Sequence, residues 1–550
     1  MADLASELSH LVDCETDNSP ETLESHSHDA SMFELKPQVV VFPKTTEDVK
    51  NVVNYVRERR KSDPEISITA RSAGTDMSGA AIGQSIILDY SRHFKGIPIV
   101  NGDEAEVKPG TKYHDFEVET LKSSQLMPSY PASRELCTLG GMVANNAGGE
   151  KSLRDGKTEN FVTELKVVLS DGQEYVTKPL DQSQLKAKMA QQDFEGEVYR
   201  RLFELLDMHY QEIKAAKPKV SKDSTGYHLW DVWDRETGIF DINRLLVGSQ
   251  GTLGQITNIK LKLVKKPKYS GTLVIFLRHL ENLGELINKV LEHKPSSFEG
   301  FDNYTLMLSF KLFPYFRKNL GWWGMSRLAL KLIPDAFKLI RGIPKMVLLV
   351  EFDDDDEQVV AQKVRTMHED LKVYGHEALF EEDETEAKSR KFWIMRRESF
   401  NLLRQKVKDK HTAPFIDDLV VPPEHLPQFL PQVRQIINKY KLLATVAGHM
   451  GDGNFHIIPL MNIENNSERD KLEPVMREIN QLVLSYGGSL SGEHNDGMIR
   501  GPWLEQMYGP VVTDYFRQVK EIFDPDNIFN PHKKTDADWQ FSMSHLRKKF

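Results

Sequence analysis

The run Val446-Ala-Gly-His-Met-Gly-Asp-Gly-Asn-Phe-His456 sets two histidines seven residues apart in a glycine-rich stretch, and Gly492-Glu-His-Asn-Asp-Gly497 puts a carboxylate beside a third histidine. Two imidazoles and a carboxylate form a ligand set for a divalent cation. A further imidazole next to them is a base with an ordinary pKa of about 6.5. Such a group can assist the oxidation of an alcohol by a hydride acceptor, because the cation acidifies the hydroxyl and the free imidazole takes its proton. The competing reading is that His449 and His456 only hydrogen-bond the backbone of a tight loop. Asp452 and Asn454 read as loop-shaping residues, since Asx side chains commonly cap turns. His228 and His411 stand alone and read as structural or surface groups.

Three upstream loops are dense in small residues. Arg71-Ser-Ala-Gly-Thr-Asp-Met-Ser-Gly79 follows the strand-like Ile66-Ser-Ile-Thr-Ala70. Its backbone N–H groups can approach phosphate oxygens, and Arg71, Thr75 and Ser78 can add donors. It is neither a Walker loop nor a Rossmann fingerprint, because the glycine spacing is wrong and the Walker lysine is missing. Thr138-Leu-Gly-Gly-Met-Val-Ala-Asn-Asn-Ala-Gly-Gly149 is the second loop and Gly248-Ser-Gln-Gly-Thr-Leu-Gly254 the third. Three such loops in one domain exceed what turns require and suit a large phosphate-bearing cofactor.

The surrounding elements read as α+β. Val39-Val-Val-Phe42 is a strand, and Thr45 with Asp48 forms a capping box for a helix whose apolar residues are Val49, Val52, Val53 and Val56. Ser85-Ile-Ile-Leu-Asp-Tyr90 reads as another strand. Asp171-Gly172 lies between Leu165–Leu169 and Glu174–Thr177 as a hairpin signal. Lys265-Lys-Pro-Lys268 marks a boundary, beyond which Thr272–Phe276 and Met346–Phe352 read as strands of a second sheet, and Pro422–Tyr440 as a helix. Residues 1–35 are an acidic lead-in, loosely docked by composition. The domains expected are then 36–267 for the cofactor, 268–533 for the substrate, and a tail over 534–550. Phe310–Met346 carries eight Lys or Arg against the single acid Asp335, with Trp322 and Trp323. It reads either as a helical insertion packed on the body or as a peripheral contact with an anionic membrane.

A chain of 550 residues with a net charge of -10 has ample core, and its acidity argues against a nucleic-acid partner. Cys14 and Cys137 are the only cysteines, too few for an iron–sulfur cluster or a disulfide framework. No secretory leader and no apolar run of about 20 residues appears, so a cytoplasmic setting is expected, with any membrane contact peripheral on the inner face.

The three loops in this order resemble the FAD-binding domain of the vanillyl-alcohol-oxidase and p-cresol-methylhydroxylase flavoproteins. The C-terminal motifs, down to Phe523-Asp-Pro-Asp-Asn-Ile-Phe-Asn-Pro531, resemble the FAD-linked oxidase C-terminal domain, in the D-lactate, glycolate and D-2-hydroxyglutarate dehydrogenase branch. The resemblance covers roughly residues 36–533. It implies an α+β p-cresol-methylhydroxylase-type FAD-binding domain followed by an α+β oxidase domain. Arg71, Ala73, Gly74, Thr75, Asp76, Ser78 and Gly79 would hold the pyrophosphate of a non-covalent FAD. Thr138, Gly140, Gly141, Ala144, Ala147, Gly148 and Gly149 would line its adenine and ribityl parts, with Gly248, Gly251, Gly254 and Asn530 behind. His449, His456 and Glu493 fall on the family's metal ligands, for zinc, manganese or iron. His494 falls on its catalytic base, and Arg396 (or its neighbour Arg397) on the arginine that binds the substrate carboxylate.

Departures bear on the substrate. Relatives acting on 2-hydroxyglutarate carry a Lys and an Asn for the distal carboxylate, where this chain has Ile416 and Ile458; Phe400 replaces a small polar residue. A distal carboxylate would be buried there without a partner, which favours a D-lactate-like monocarboxylate. Gln250 stands where relatives carry Glu, and Asn495 where a glycine follows the base. The reading is oxidation of a small D-2-hydroxy acid, with electrons leaving to a quinone, a soluble carrier or a partner subunit. The alternatives are a redox-neutral flavin transferase of the alkyl-ether-lipid-synthase type and a non-catalytic flavin subunit.

Overall fold

Capping and strand pairing set the first layer of the computed structural model, which describes residues 4–303, 344–375, 378–383, 393 and 410–548. The strands β1 (Glu15–Asp17), β2 (Val39–Phe42), β3 (Ile68–Arg71) and β4 (Ile86–Asp89) form a sheet ordered β1-β2-β4-β3, parallel except for β1. All four β2 residues are buried, which accounts for a continuous apolar run instead of an alternating one. The helix Thr46–Arg59 closes on the capping box of Thr45 and Asp48 and buries Val49, Val52, Val53 and Val56 against this sheet.

The antiparallel second sheet contains β5 (Ile99–Asn101), β6 (Glu104–Val107), β8 (Val162–Val168), β9 (Glu174–Thr177) and β10 (Gln255–Lys262), ordered β5-β6-β10-β8-β9. The short β7 (Gln125–Leu126) pairs with β11 (Val264–Lys265) just before Lys265-Lys-Pro-Lys268.

The third sheet positions the chemistry. β12 (Tyr269–Leu277), β13 (Ser297–Asp302), β14 (Met346–Asp354), β15 (Ala378–Asp383), β16 (His411–Thr412), β17 (Leu419–Val420), β18 (Leu443–His449) and β19 (Asn454–Met461) pair antiparallel, in the order β15-β12-β14-β13-β18-β19-β16, with β17 on β19. Alternation divides its two faces. Leu273, Ile275, Phe298, Leu348, Val350, Val446, Phe455 and Ile457 join a core with the helices Leu283–Glu292, Glu357–Leu371, Leu426–Lys439 and Leu472–Ser485. Register places Glu299 opposite His449 and Ala447 opposite His456, so these side chains share the other face with Phe301, Leu349 and Ile458. That face turns toward the cofactor half. Lys151, just after the second loop, pairs with Glu351 and with Asp353 at 2.8 Å, and Arg154 reaches Asp353 at 3.0 Å.

Both chain ends are more tightly held than expected. The lead-in carries the helices Leu4–Ser9 and Pro20–His26, adds β1 to the first sheet, buries Leu8 and Val12, and bonds His26 to Asp89 at 3.0 Å. Its scattered apolar residues and a pairing edge outweigh its acidic composition. The tail is docked as well: Lys534 is fully buried, and the backbone of Leu546 bridges that of Phe33. Most of Phe310–Met346, together with Arg396, Arg397 and Phe400, lies outside the described residues.

Candidate functional site

The two-histidine motif folds as a tight hairpin. β18 ends at His449, a short 3-10 turn spans Met450–Asp452, Gly453 takes φ 63°, and β19 begins at Asn454. A side chain at Gly453 would also collide with the Val421 carbonyl, so glycine is required there on two counts. The hairpin brings His449 and His456 to 5.3 Å between ring centroids, and the 492–497 loop delivers Glu493 between them. Glu493 Oε1 lies 3.1 Å from His449 Nε2 and 3.4 Å from His456 Nε2. One ligand atom from each of the three residues lies within 4.8 Å of the other two.

The supporting groups fit a divalent cation at this donor set. Glu493 Oε2 is taken by the fully buried Lys222 at 3.0 Å, which leaves Oε1 as the oxygen that faces the imidazoles. Glu299 on β13 bonds His449 Nδ1 at 2.5 Å and so turns Nε2 toward the site. Burial disfavours charge on His449, but Glu299 outweighs it and raises the imidazole to about 9, so a cation competes with a proton there. Burial lowers the pKa of His456, which favours the neutral form that metal ligation needs. Burial opposes ionisation of Glu493, yet Lys222 and His449 hold its carboxyl well below the usual range. Gly148 of the second loop is part of the same packing, because a Cβ there would lie 2.8 Å from Glu493 Oε2.

His494 stacks on His456 at 4.9 Å and 25°, and its Nδ1 lies 2.8 Å from Asp417 Oδ2. Burial alone would lower its pKa; the Asp418 and Asp417 carboxylates overcome that and raise it to about 9. Asp418, His456 and His494 also lie close enough to suggest a second cation site. Asp418 is already committed, however. Its carboxylate accepts from Asn454 Nδ2 at 2.9 Å, Ser491 Oγ at 2.6 Å and the backbone N–H groups of Glu493 and His494 at 2.9 and 2.7 Å. It shapes the loop.

The cofactor loops converge on this centre. Thr138 Oγ1 donates to Ser72 Oγ at 2.7 Å, joining the first loop to the second. The positions left partly or fully open, Ala73, Gly74, Thr75, Gly140, Gly141 and Ala144, form a strip of small side chains, which fits the backbone-lined bed of an extended dinucleotide. Other residues expected at the cofactor are turned inward. The Arg71 guanidinium bonds the Ala81 and His28 carbonyls at 3.0 and 2.9 Å. Asp76 accepts from the Ser78 and Ala80 N–H groups, so this carboxylate organises the loop from behind. Ser78 is buried against Asp76, Gly79 abuts Phe33 and Met498, Gly149 abuts the Tyr130 carbonyl, and Gly254 packs on Val167. Asn530 donates to the Ala80 and Gln250 carbonyls and accepts from Thr69, which uses both of its N–H donors. Gly251 sits over Ala70, and Ala147 is buried with its carbonyl bonded by Ser129 and Thr158.

Gln250 and Asn495, two of the departures, act as cross-ties. Gln250 donates to Ser78 and Asn145 and accepts from the Gly497 N–H at 2.8 Å. Asn495, at φ 68° and fully buried, donates to the Gly248 and Asn145 carbonyls, and Asn145 in turn bonds the Glu493 carbonyl at 2.9 Å. The second and third loops are thereby hydrogen-bonded to the segment that carries Glu493 and His494.

His228 is structural, as expected of a lone histidine. It bridges Glu159 at 3.0 Å and Asp223 at 3.3 Å. Burial lowers its pKa, but Glu159 and Asp223 prevail and bring it to about 9. Since the folded value exceeds the unfolded one, this triad stabilises fully below about pH 6.5 and loses its effect as pH rises through 9. A gap of that size corresponds to roughly 3 kcal/mol. His228→Gln should therefore cost clearly more stability at pH 6 than at pH 9.5 in urea melts; an equal cost at both would contradict the ion triad.

Two family models match the chain: the FAD binding domain over residues 37–178 and the C-terminal domain of FAD linked oxidases over 266–534. The D-2-hydroxyglutarate dehydrogenase of Pseudomonas putida is 29% identical over 516 residues, covering 92% of this chain and 49% of that protein. The chain thus spans about half the length of that relative. Glycolate oxidase subunit GlcD of Bacillus subtilis is 26% identical, with 92% of this chain and 91% of that one covered. The D-lactate dehydrogenase of Anaerostipes hadrus is 25% identical, with 92% of both covered. Among solved structures, p-cresol methylhydroxylase with substrate bound superposes with a TM-score of 0.67 at 15% identity, over 98% of this chain and 96% of that one. An alkyldihydroxyacetonephosphate synthase gives 0.64 at 16%, over 94% and 83%. At such identities these two likenesses bear on the fold alone.

Proposed function

Because the chain belongs to the FAD-linked oxidase family and has the p-cresol-methylhydroxylase fold, we propose that it oxidises a D-2-hydroxy acid to the 2-oxo acid. The observation that carries this reading is the placement of a largely buried His449–His456–Glu493 donor set beside a carboxylate-held His494, on a segment bonded to the cofactor loops. The first two loops would hold a non-covalent FAD, which would supply the hydride acceptor, and His449, His456 and Glu493 would hold a divalent cation, which would supply Lewis acidity toward the substrate hydroxyl. His494 accepts the hydroxyl proton. Arg396 is assigned to the substrate carboxylate, for which a planar guanidinium fork is suited.

The substrate favoured is a monocarboxylate of the D-lactate type. Ile416 and Ile458 are both buried, and Ile458 shares the His456 face of β19 with Phe301 and Leu349 across the sheet. A second carboxylate placed against these apolar side chains would lose its hydration. The electrons then pass to a separate acceptor, whether a quinone, a soluble carrier or a partner subunit. Among the described residues no helix is long and apolar enough to cross a membrane.

The test is anaerobic titration of the flavin-loaded protein with D-lactate, longer D-2-hydroxy acids and D-2-hydroxyglutarate, followed by flavin absorbance. Bleaching by monocarboxylates well ahead of the dicarboxylate is expected. Faster bleaching by 2-hydroxyglutarate would remove the reading of Ile416 and Ile458. A bound flavin reduced by none of them would move the assignment to the redox-neutral transferase or the silent subunit.

A further inference from the structure

We propose that Asp417 is the positioning residue of the base, fixing His494 in the tautomer whose Nε2 can accept the substrate proton. The inference rests on the functional reading above. Asp417 is fully buried and held on both sides. Its Oδ2 lies 2.8 Å from His494 Nδ1, while Arg500 bonds its Oδ1 and, at 3.0 Å, its backbone carbonyl. Arg500 is itself buried and anchored to the Asn495 carbonyl at 2.9 Å, so the carboxylate has no room to swing.

An ionised carboxylate only accepts hydrogen bonds, so the hydrogen between it and the ring belongs to Nδ1. In the neutral imidazole the lone pair is then on Nε2. The ring cannot easily turn away, because it stacks on His456 and its own backbone N–H is held by Asp418. The two consecutive aspartates divide the work: Asp418 fixes the main chain of the loop and Asp417 fixes the ring. Asp418 takes φ 70°, a turn that lets neighbouring carboxylates address one segment. When the substrate hydroxyl gives its proton to Nε2, the imidazolium formed lies against Asp417. Arg500 pairs with the other oxygen of that carboxylate.

Asp417→Asn separates this role from a packing role. The amide has the same shape, but Arg500 donates and therefore takes the amide oxygen. The NH2 is left facing Nδ1, which must then accept, and the ring hydrogen moves to Nε2, where it blocks proton uptake. The expected fall in the anaerobic flavin-reduction rate is about 100-fold or more. FAD content and the substrate dissociation constant, from the saturation of that rate, should change less than about threefold. In 15N-histidine spectra of the holoenzyme, the His494 resonances, identified by their absence in His494→Gln, should switch from the Nδ1–H to the Nε2–H pattern. Should Asp417→Asn fail to fold, Arg500→Gln frees the carboxylate and should slow reduction in the same direction by a smaller factor. A near-normal reduction rate in Asp417→Asn, or a neutral wild-type ring carrying its single hydrogen on Nε2, would overturn the proposal. If no hydroxy acid reduces the wild-type flavin, the functional reading fails by itself, and the spectra still decide whether Asp417 sets the tautomer.

Discussion

His494→Ala should reduce flavin at least about 1,000-fold more slowly than the wild type under saturating D-2-hydroxy acid, with FAD still bound. A positioned general base typically contributes 10²–10⁴, about 3–5 kcal/mol of barrier, and the only other imidazoles in the described centre are expected ligands. FAD should remain because the ties between the loops use other groups: Gln250 to the Gly497 N–H, Asn495 to the Gly248 carbonyl, and Asn145 to the Glu493 carbonyl. The fold should survive too, since Asp417 keeps Arg500 as counter-charge when the imidazole is gone. Stopped-flow reduction together with the visible flavin spectrum measures both parts. A rate within tenfold of the wild type would take the role of base from His494, whereas loss of flavin would mean that the imidazole is part of the cofactor bed.

The parts of this protein that could be read in advance are those written in short stretches of chain. Thr45 and Asp48 announced a helix start, Val39–Phe42 a buried strand, and Asp171-Gly172 a hairpin, because each depends on neighbours within a few residues. The donor set was readable for the same reason, since His449 and His456 sit on one hairpin and Glu493 precedes a third histidine. The residues behind the imidazoles were not. Glu299 reaches His449 across 150 positions and Lys222 reaches Glu493 across 271, through strand order and loop packing that no periodicity encodes. Asp417 stands between Ile416 and Asp418, and nothing local says which of the two adjacent aspartates meets the ring. The small-residue loops were found by composition. Composition could not say that Arg71, Asp76 and Asn530 would turn their polar groups into the protein, because that depends on which carbonyls and N–H groups the fold leaves unsatisfied nearby.

Glu493→Gln is the change expected to do most damage at the centre, for a reason the geometry makes specific. One oxygen of Glu493 faces His449 and His456 and the other faces the Lys222 ammonium. An amide cannot serve both sides. With its oxygen toward the imidazoles, its NH2 meets an ammonium, donor against donor. Reversed, it presents NH2 to the position a cation would take. Either orientation disables the donor set, and Lys222 is left with the more distant Asp452, at 3.5 Å, as its remaining ion pair among the described residues. Breaking one arm of such a buried pair costs on the order of 3 kcal/mol. Metal retained after dialysis, measured by mass spectrometry, should fall from near-stoichiometric to background, and flavin reduction should fall with it. Glu299→Gln makes the graded comparison: it leaves the three proposed ligands in place, loosens the hold on His449 Nδ1, and should weaken metal retention by about 10- to 100-fold. Full metal content in Glu493→Gln would refute the assignment of Glu493 as a ligand. An equal loss in the two variants would mean that Glu299 does more than orient His449.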